Sequence, residues 1–125
     1  MPYAHPDSAN NKLTDAIQDA KTRNNSSSEW REVLTATAQH RSVLIHWMPG
    51  RNDSMHTHPN AEEIFVVHEG QAEFDFDDGS KRIANPGTIL YAAAGQPHAI
   101  RVLGEAPLLM MCFMSANHPS DTVER

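Results

Sequence analysis

The chain has 125 residues, with ten Lys and Arg against sixteen Asp and Glu and a formal net charge of −6. That length fits one domain with its own hydrophobic core, and the acidic balance speaks against a nucleic-acid footprint or an anionic membrane surface as partner, since both need a basic patch. The single Cys112 excludes an intrachain disulfide framework and fits a reducing compartment.

No apolar run reaches the roughly 18 residues of a bilayer span. The stretch Met1-Pro2-Tyr3-Ala4-His5-Pro6-Asp7 lacks the charged-then-apolar order of a signal peptide, so a cytoplasmic location is expected. The first eleven residues are polar. Leu13, Ala16, Ile17 and Ala20 then fall at helical spacing, which predicts a short helix over 14–21 whose narrow apolar face packs on the outside of something larger. Asn24-Asn25 and three consecutive serines make 22–28 a loop, and the whole of 1–29 reads as an N-terminal segment of helix and linker.

From Trp30 the pattern changes to strands. Runs over 33–38 and 43–48 are separated by Gln39-His40-Arg41-Ser42, and Pro49-Gly50 ends the second. A strand carrying His56 follows, then the apolar run 63–67. Ala72, Phe74 and Phe76 alternate with Glu73, Asp75 and Asp77, the pattern of a strand with one buried face. Asp77-Asp78-Gly79-Ser80 reads as a hairpin turn into 81–84, and Asn85-Pro86-Gly87 as a turn into 88–92. Further strands are expected over 98–102 and, most apolar of all, 108–114, with 115–125 a polar tail. Many short strands with frequent turn signals predict an all-β sandwich or barrel over 30–114.

The chemistry gathers between Gly50 and Gly70. His56 and His58, one residue apart, point to the same side of an extended strand. Pro59-Asn60 then breaks the strand, and Glu62 and Glu63 open the next apolar run. Two imidazoles and a carboxylate on adjacent strands suit a divalent first-row metal.

This stretch reads G-x5-H-x-H-x4-E-x6-G through Gly50, His56, His58, Glu63 and Gly70, and so resembles the first signature of the cupin superfamily. The second signature, G-x5-P-x-G-x2-H-x3-N, maps onto Gly87, Ala93, Gly95, His98 and Val102, with Ala93 where the proline would stand and Val102 where the asparagine would. The resemblance covers about residues 40–114. It implies an all-β cupin double-sheet β-barrel of the jelly-roll type with a short N-terminal helix. It also implies that His56, His58, Glu63 and His98 bind one divalent transition-metal ion, with Fe, Mn, Ni, Zn or Cu all suited to the donors.

The family tolerates either spacing after the second histidine, so Glu62 is the alternative to Glu63. The distance to Gly70 and strand parity favour Glu63, because Phe65 and Val67 then follow it inward and His68 points out. His46 and His68 read as ordinary strand histidines, and His5, His40 and His118 as surface. Phe65, Phe74, Tyr91, Met110 and Cys112 are the expected wall of the site, with Tyr91 the candidate catalytic proton donor or acceptor and Cys112 an inert buried thiol. Small cupin lyases acting on dimethylsulfoniopropionate look similar, but they carry a catalytic tyrosine two residues after the ligand glutamate, where this chain has Phe65.

The resemblance favours a metal-dependent enzyme acting on a small organic molecule, with dioxygenase or related oxidoreductase chemistry first. A non-catalytic small-ligand-binding or sensor cupin is the alternative, and metal-dependent isomerase, lyase or cyclase chemistry a further one. A homodimer is expected as well, since exposed strand edges invite pairing.

Overall fold

The structure, a computed structural model, describes residues 12–115 and 123–124. One helix, α1 (Leu13–Arg23), precedes β1 (Trp30–Ala36), β2 (His40–Trp47), β3 (Asn52–Thr57), β4 (Glu63–Glu69), β5 (Gln71–Phe76), β6 (Lys81–Ala84), β7 (Ile89–Ala92), β8 (His98–Leu103), β9 (Leu108–Ser115) and β10 (Val123–Glu124). The strands form two antiparallel five-stranded sheets, ordered β1-β2-β9-β4-β7 and β10-β3-β8-β5-β6. This is the double-sheet jelly roll. The two sheets face each other, and no ladder closes them into a continuous barrel among the described residues.

Period-2 alternation decides what lies between the sheets. Phe65 and Val67 of β4, Ala72, Phe74 and Phe76 of β5, Ile100 and Val102 of β8, and Val43 and Ile45 of β2 all turn inward and form one buried cluster. The first sheet is covered on its other face too. Ala16, Ile17 and Ala20 of α1 pack there on Leu34, Leu44, Leu109 and Met111. Strands buried on both faces need apolar residues at consecutive positions, which is why 108–111 are Leu-Leu-Met-Met and all buried. The helix runs longer than its apolar face, to Arg23, whose guanidinium pairs with Glu32 of β1 at 2.6 Å.

The expected polar tail differs from what is found at its two ends. Ser115 closes β9, and the backbone of Val123 and Glu124 pairs with Thr57 and His56 at the open edge of β3. Backbone pairing needs no apolar side chains, so composition hides it. The polar stretch 1–11 and the rest of the tail lie outside the described residues.

Gly70 has a physical reason to be glycine. It sits at φ +85° between β4 and β5, and a Cβ there would overlap the Pro107 carbonyl oxygen. Gly70→Ala is therefore expected to lower stability by more than about 2 kcal/mol. Gly79→Ala, at φ +86° but with nothing within 4 Å, bears only the backbone strain and should cost less. Urea midpoints of the two variants check the order.

Candidate metal centre

Three histidines meet at one end of the sandwich. His56 of β3 and His98 of β8 are register partners, with ring centroids 4.5 Å apart. His58 lies just past the end of β3, its ring 5.1 Å from that of His56 and 5.6 Å from that of His98. One ring nitrogen from each lies within 4.8 Å of the others. Two ligands on one ion sit at most roughly 4.2 Å apart, twice a metal–nitrogen bond, so the triad is almost pre-formed.

A bulge helps to aim it. Asp53 and His56 are three residues apart, an odd spacing that would put them on opposite faces of a regular strand, yet both line the same cavity. The β3–β8 register slips between them: Asp53 pairs with Ile100 and His56 with His98, so one extra residue on β3 turns His56 inward.

Glu63 arrives from the opposite sheet at the start of β4. Its Oε1 lies 3.3 Å from His58 Nε2 and 3.5 Å from His98 Nε2, and the side chain is buried. Glu62 faces the other way: it is exposed, and its Oε2 accepts the Tyr91 hydroxyl at 2.5 Å. Tyr91, expected in the wall as a proton donor or acceptor, is thus placed on the outer face of the sheet, 52% exposed. The reason is parity. Tyr91 pairs with outward Ile64, while its neighbour Ala92 pairs with inward Glu63. Metal content separates the two glutamates: Glu63→Gln should weaken retention by more than about tenfold, and Glu62→Gln should leave it unchanged.

The imidazoles are oriented by backbone. His56 Nδ1 lies 2.8 Å from the Ser54 carbonyl and His98 Nδ1 lies 3.0 Å from the Gln96 carbonyl. A carbonyl only accepts, so each Nδ1 carries a proton, and in the neutral ring each Nε2 presents a lone pair. The turn before β8 is pinned to the other histidine loop, because Gly95 N–H donates to the His58 carbonyl at 2.9 Å. Ala93 N–H donates to Gln96 Oε1 at 3.0 Å, closing the same turn.

The arrangement leaves a defect that a cation repairs. His98 Nε2 and Glu63 Oε1 are both buried without a hydrogen-bond partner although they are only 3.5 Å apart. With Nδ1 holding the proton, a lone pair faces a carboxylate oxygen, two acceptors aimed at one point. A metal ion held by His56, His58, Glu63 and His98 would satisfy both, and three imidazole nitrogens with one carboxylate oxygen suit a first-row divalent ion. The residues fit the group.

Beside this cluster lies a cavity of about 200 Å³. His56, His58 and Glu63 form one part of its wall, and Val43, Ile45, Phe65, Ile100, Met110 and Cys112 another. His98 is only 1% exposed and packs edge-on to Phe65, with ring centroids 5.5 Å apart. Phe74, expected in the wall, instead sits behind Phe65 in the core, 4.8 Å between rings. Burial first, and the Glu63 charge second, push the Cys112 thiol well above its ordinary value, which leaves it unreactive. Sequence reasoning missed Arg31, Arg41 and Asp53, which also line the cavity. The signal was available for Arg41, which continues the inward series Val43, Ile45, Trp47 back along β2 at period 2.

The cupin-domain family model matches residues 43–114. Fold, site and match agree: the chain belongs to the cupin family. It is similar to an uncharacterized conserved protein with a double-stranded beta-helix domain from Klebsiella pneumoniae, at 23% identity and TM-score 0.71, covering 86% of this chain and 93% of that one. It is similar to KdgF from a Halomonas species at 22% identity and TM-score 0.68, covering 78% of this chain and 88% of that one. Its similarity to the DMSP lyase DddQ from Ruegeria pomeroyi has 24% identity and TM-score 0.68, over 77% of this chain. There it spans about half of the matched protein, 51% of that chain. No curated protein matches the sequence.

Proposed function

We propose that this cupin is a metal-dependent enzyme in which His56, His58, Glu63 and His98 hold one divalent transition-metal ion, and that it carries out oxidoreductase chemistry of the dioxygenase kind on a small organic molecule. The observation that carries the reading is the pair of orphaned buried acceptors, His98 Nε2 and Glu63 Oε1, aimed at one point beside a cavity large enough for a small substrate. A bound ion supplies Lewis acidity and, if redox-active, electrons for reaction with O₂.

The chain's own residues position and shield. Apolar Val43, Ile45, Phe65, Ile100 and Met110 exclude water from the cavity and hold a small organic skeleton against the histidine cluster. Among the described residues lining the cavity, only Asp53 and Cys112 stand as candidate acids or bases besides His56, His58 and Glu63. Asp53 is held by the Arg51 guanidinium at 3.1 Å, and the Cys112 thiol is pushed well up. Phe65, where the related lyases have tyrosine, has no proton to give. A wall without a poised acid or base favours chemistry centred on the ion over an elimination that needs a side-chain base.

Oxygen consumption by iron- or manganese-loaded protein, screened against small organic acids, diketones and phenols, tests the reading. Uptake with a member of the panel that disappears in His56→Ala supports it. Retained metal with no oxygen uptake on any of them would favour a non-catalytic ligand-binding role.

A further inference from the structure

Two cations share the cavity with the histidines and have no counter-charge among the described residues. Arg31 on β1 and Arg41 on β2 both line it. The Nε of Arg41 is buried without a hydrogen-bond partner, and neither guanidinium has a carboxylate within ion-pair distance among the described residues. The acidic groups that share the wall are already engaged. Asp53 is bound by Arg51, which also pairs with Glu29 at 2.7 Å and stacks on Trp47, and Glu63 lies against His58 and His98. Arg41 is half-buried over an apolar floor of Val43, Ile45 and Met110, and an anionic oxygen there would satisfy its unpartnered Nε.

Register fixes where such a group would sit. Arg41 pairs with Met114, and Met114 pairs with Glu63, so Arg41 and Glu63 lie in one row of the sheet with a single strand between them. At the usual strand spacing this separates their backbones by about 10 Å. A cavity of about 200 Å³ holds roughly seven water-sized groups, enough for a short molecule that reaches from one side to the other.

We propose that Arg31 and Arg41 form a carboxylate-binding subsite, so that the substrate is a small carboxylate-bearing molecule anchored by the arginines at one end and presented to the metal-holding histidines at the other. This rests on the function proposed above and names its substrate class. A carboxylate is favoured over a phosphoryl group by the donors on offer. β2 runs between β1 and β9, so its amides belong to the ladders, and the site presents guanidinium forks rather than a nest of N–H groups. A fork matches carboxylate and phosphoryl oxygens alike bidentately, so the preference for a carboxylate rests on the missing N–H nest. Arg41 is the principal residue because its Nε is already withdrawn from water, and Arg31, which also lines the cavity, is the more exposed of the two.

Calorimetric titration tests this with succinate, its uncharged diamide succinamide and inorganic phosphate. Each is added to metal-stripped and to manganese-reloaded protein, as wild type, Arg31→Gln, Arg41→Gln and Arg41→Lys. Succinate should bind more tightly than succinamide or phosphate in both forms. Arg41→Gln should weaken succinate by about tenfold or more while manganese content stays at the wild-type level. Arg41→Lys, which keeps the charge but loses the fork, should fall between, and it carries the test together with Arg31→Gln if Arg41→Gln does not fold. Equal binding of diacid and diamide, tighter binding of phosphate, or arginine variants that bind succinate like wild type would overturn the subsite. Failure of the metal reading is distinguishable: manganese would not be retained, yet the stripped protein would still prefer succinate and lose that preference in the arginine variants.

Discussion

His98→Ala is expected to fold and yet to lose the metal, its affinity falling by more than about 100-fold. Three features make this the most damaging single change at the site. His98 Nε2 is one of the two orphaned acceptors, its Nδ1 is fixed on the Gln96 carbonyl, and its ring is almost wholly buried against His56 and Phe65. No other described side chain stands in reach to replace it. Two other histidines provide controls because they sit in different surroundings. His68 is exposed on the outer side of β4, so His68→Ala should leave both metal content and stability unchanged. His46 is stacked on Trp30 with ring centroids 5.1 Å apart, and its Nδ1 lies 2.8 Å from the Ser28 carbonyl. His46→Ala should therefore lower the melting temperature while metal is retained. Elemental analysis and thermal unfolding of the three variants distinguish a ligand from a surface residue and from a packing residue.

Stripping the metal from the wild-type protein should lower its melting temperature by more than about 10 °C, and restoring a divalent ion should recover it. The ion binds the folded cluster and not the dispersed side chains of the unfolded chain. At a thousandfold excess over its dissociation constant that linkage is worth about 4 kcal/mol. For a domain of this size, one kcal/mol moves the midpoint by a few degrees. The penalty is sharpened by the facing lone pairs of His98 and Glu63, which the ion otherwise satisfies. Glu63→Gln replaces a charged acceptor with a neutral amide that can donate. Its midpoint should consequently depend much less on added metal than that of the wild type.

The parts of this account that could be read from residues alone are those that repeat with a short period. Alternation in 72–76 and the turn residues between strands reported the sheets, and the spacing of His56, His58 and Glu63 reported which side chains could share a face. His98 was legible only through its resemblance to a second signature, since nothing local links it to residues forty positions earlier. What brings them together is the β3–β8 register and the Gly95–His58 hydrogen bond. Tyr91 was misplaced because a short strand following a turn gives no local clue to which face is buried, and its pairing with Ile64 decides that from outside. Arg31 and Arg41 carry charges near strand ends, which normally face water: for Arg41 the period-2 series through Val43, Ile45 and Trp47 already pointed inward, whereas for Arg31 only the fold shows the cavity. Pairing of Val123 and Glu124 with β3 depends on backbone alone and leaves no pattern in the side chains.

The central claim is that the four convergent side chains hold a metal ion. Elemental analysis of protein purified without chelators or a nickel column tests it most directly. Close to one equivalent of a first-row transition metal per chain is expected, lost in His98→Ala and in Glu63→Gln and kept in Glu62→Gln. Freshly purified protein with less than about a tenth of an equivalent, which then takes up none of Fe, Mn, Ni, Zn or Cu on incubation, would contradict it.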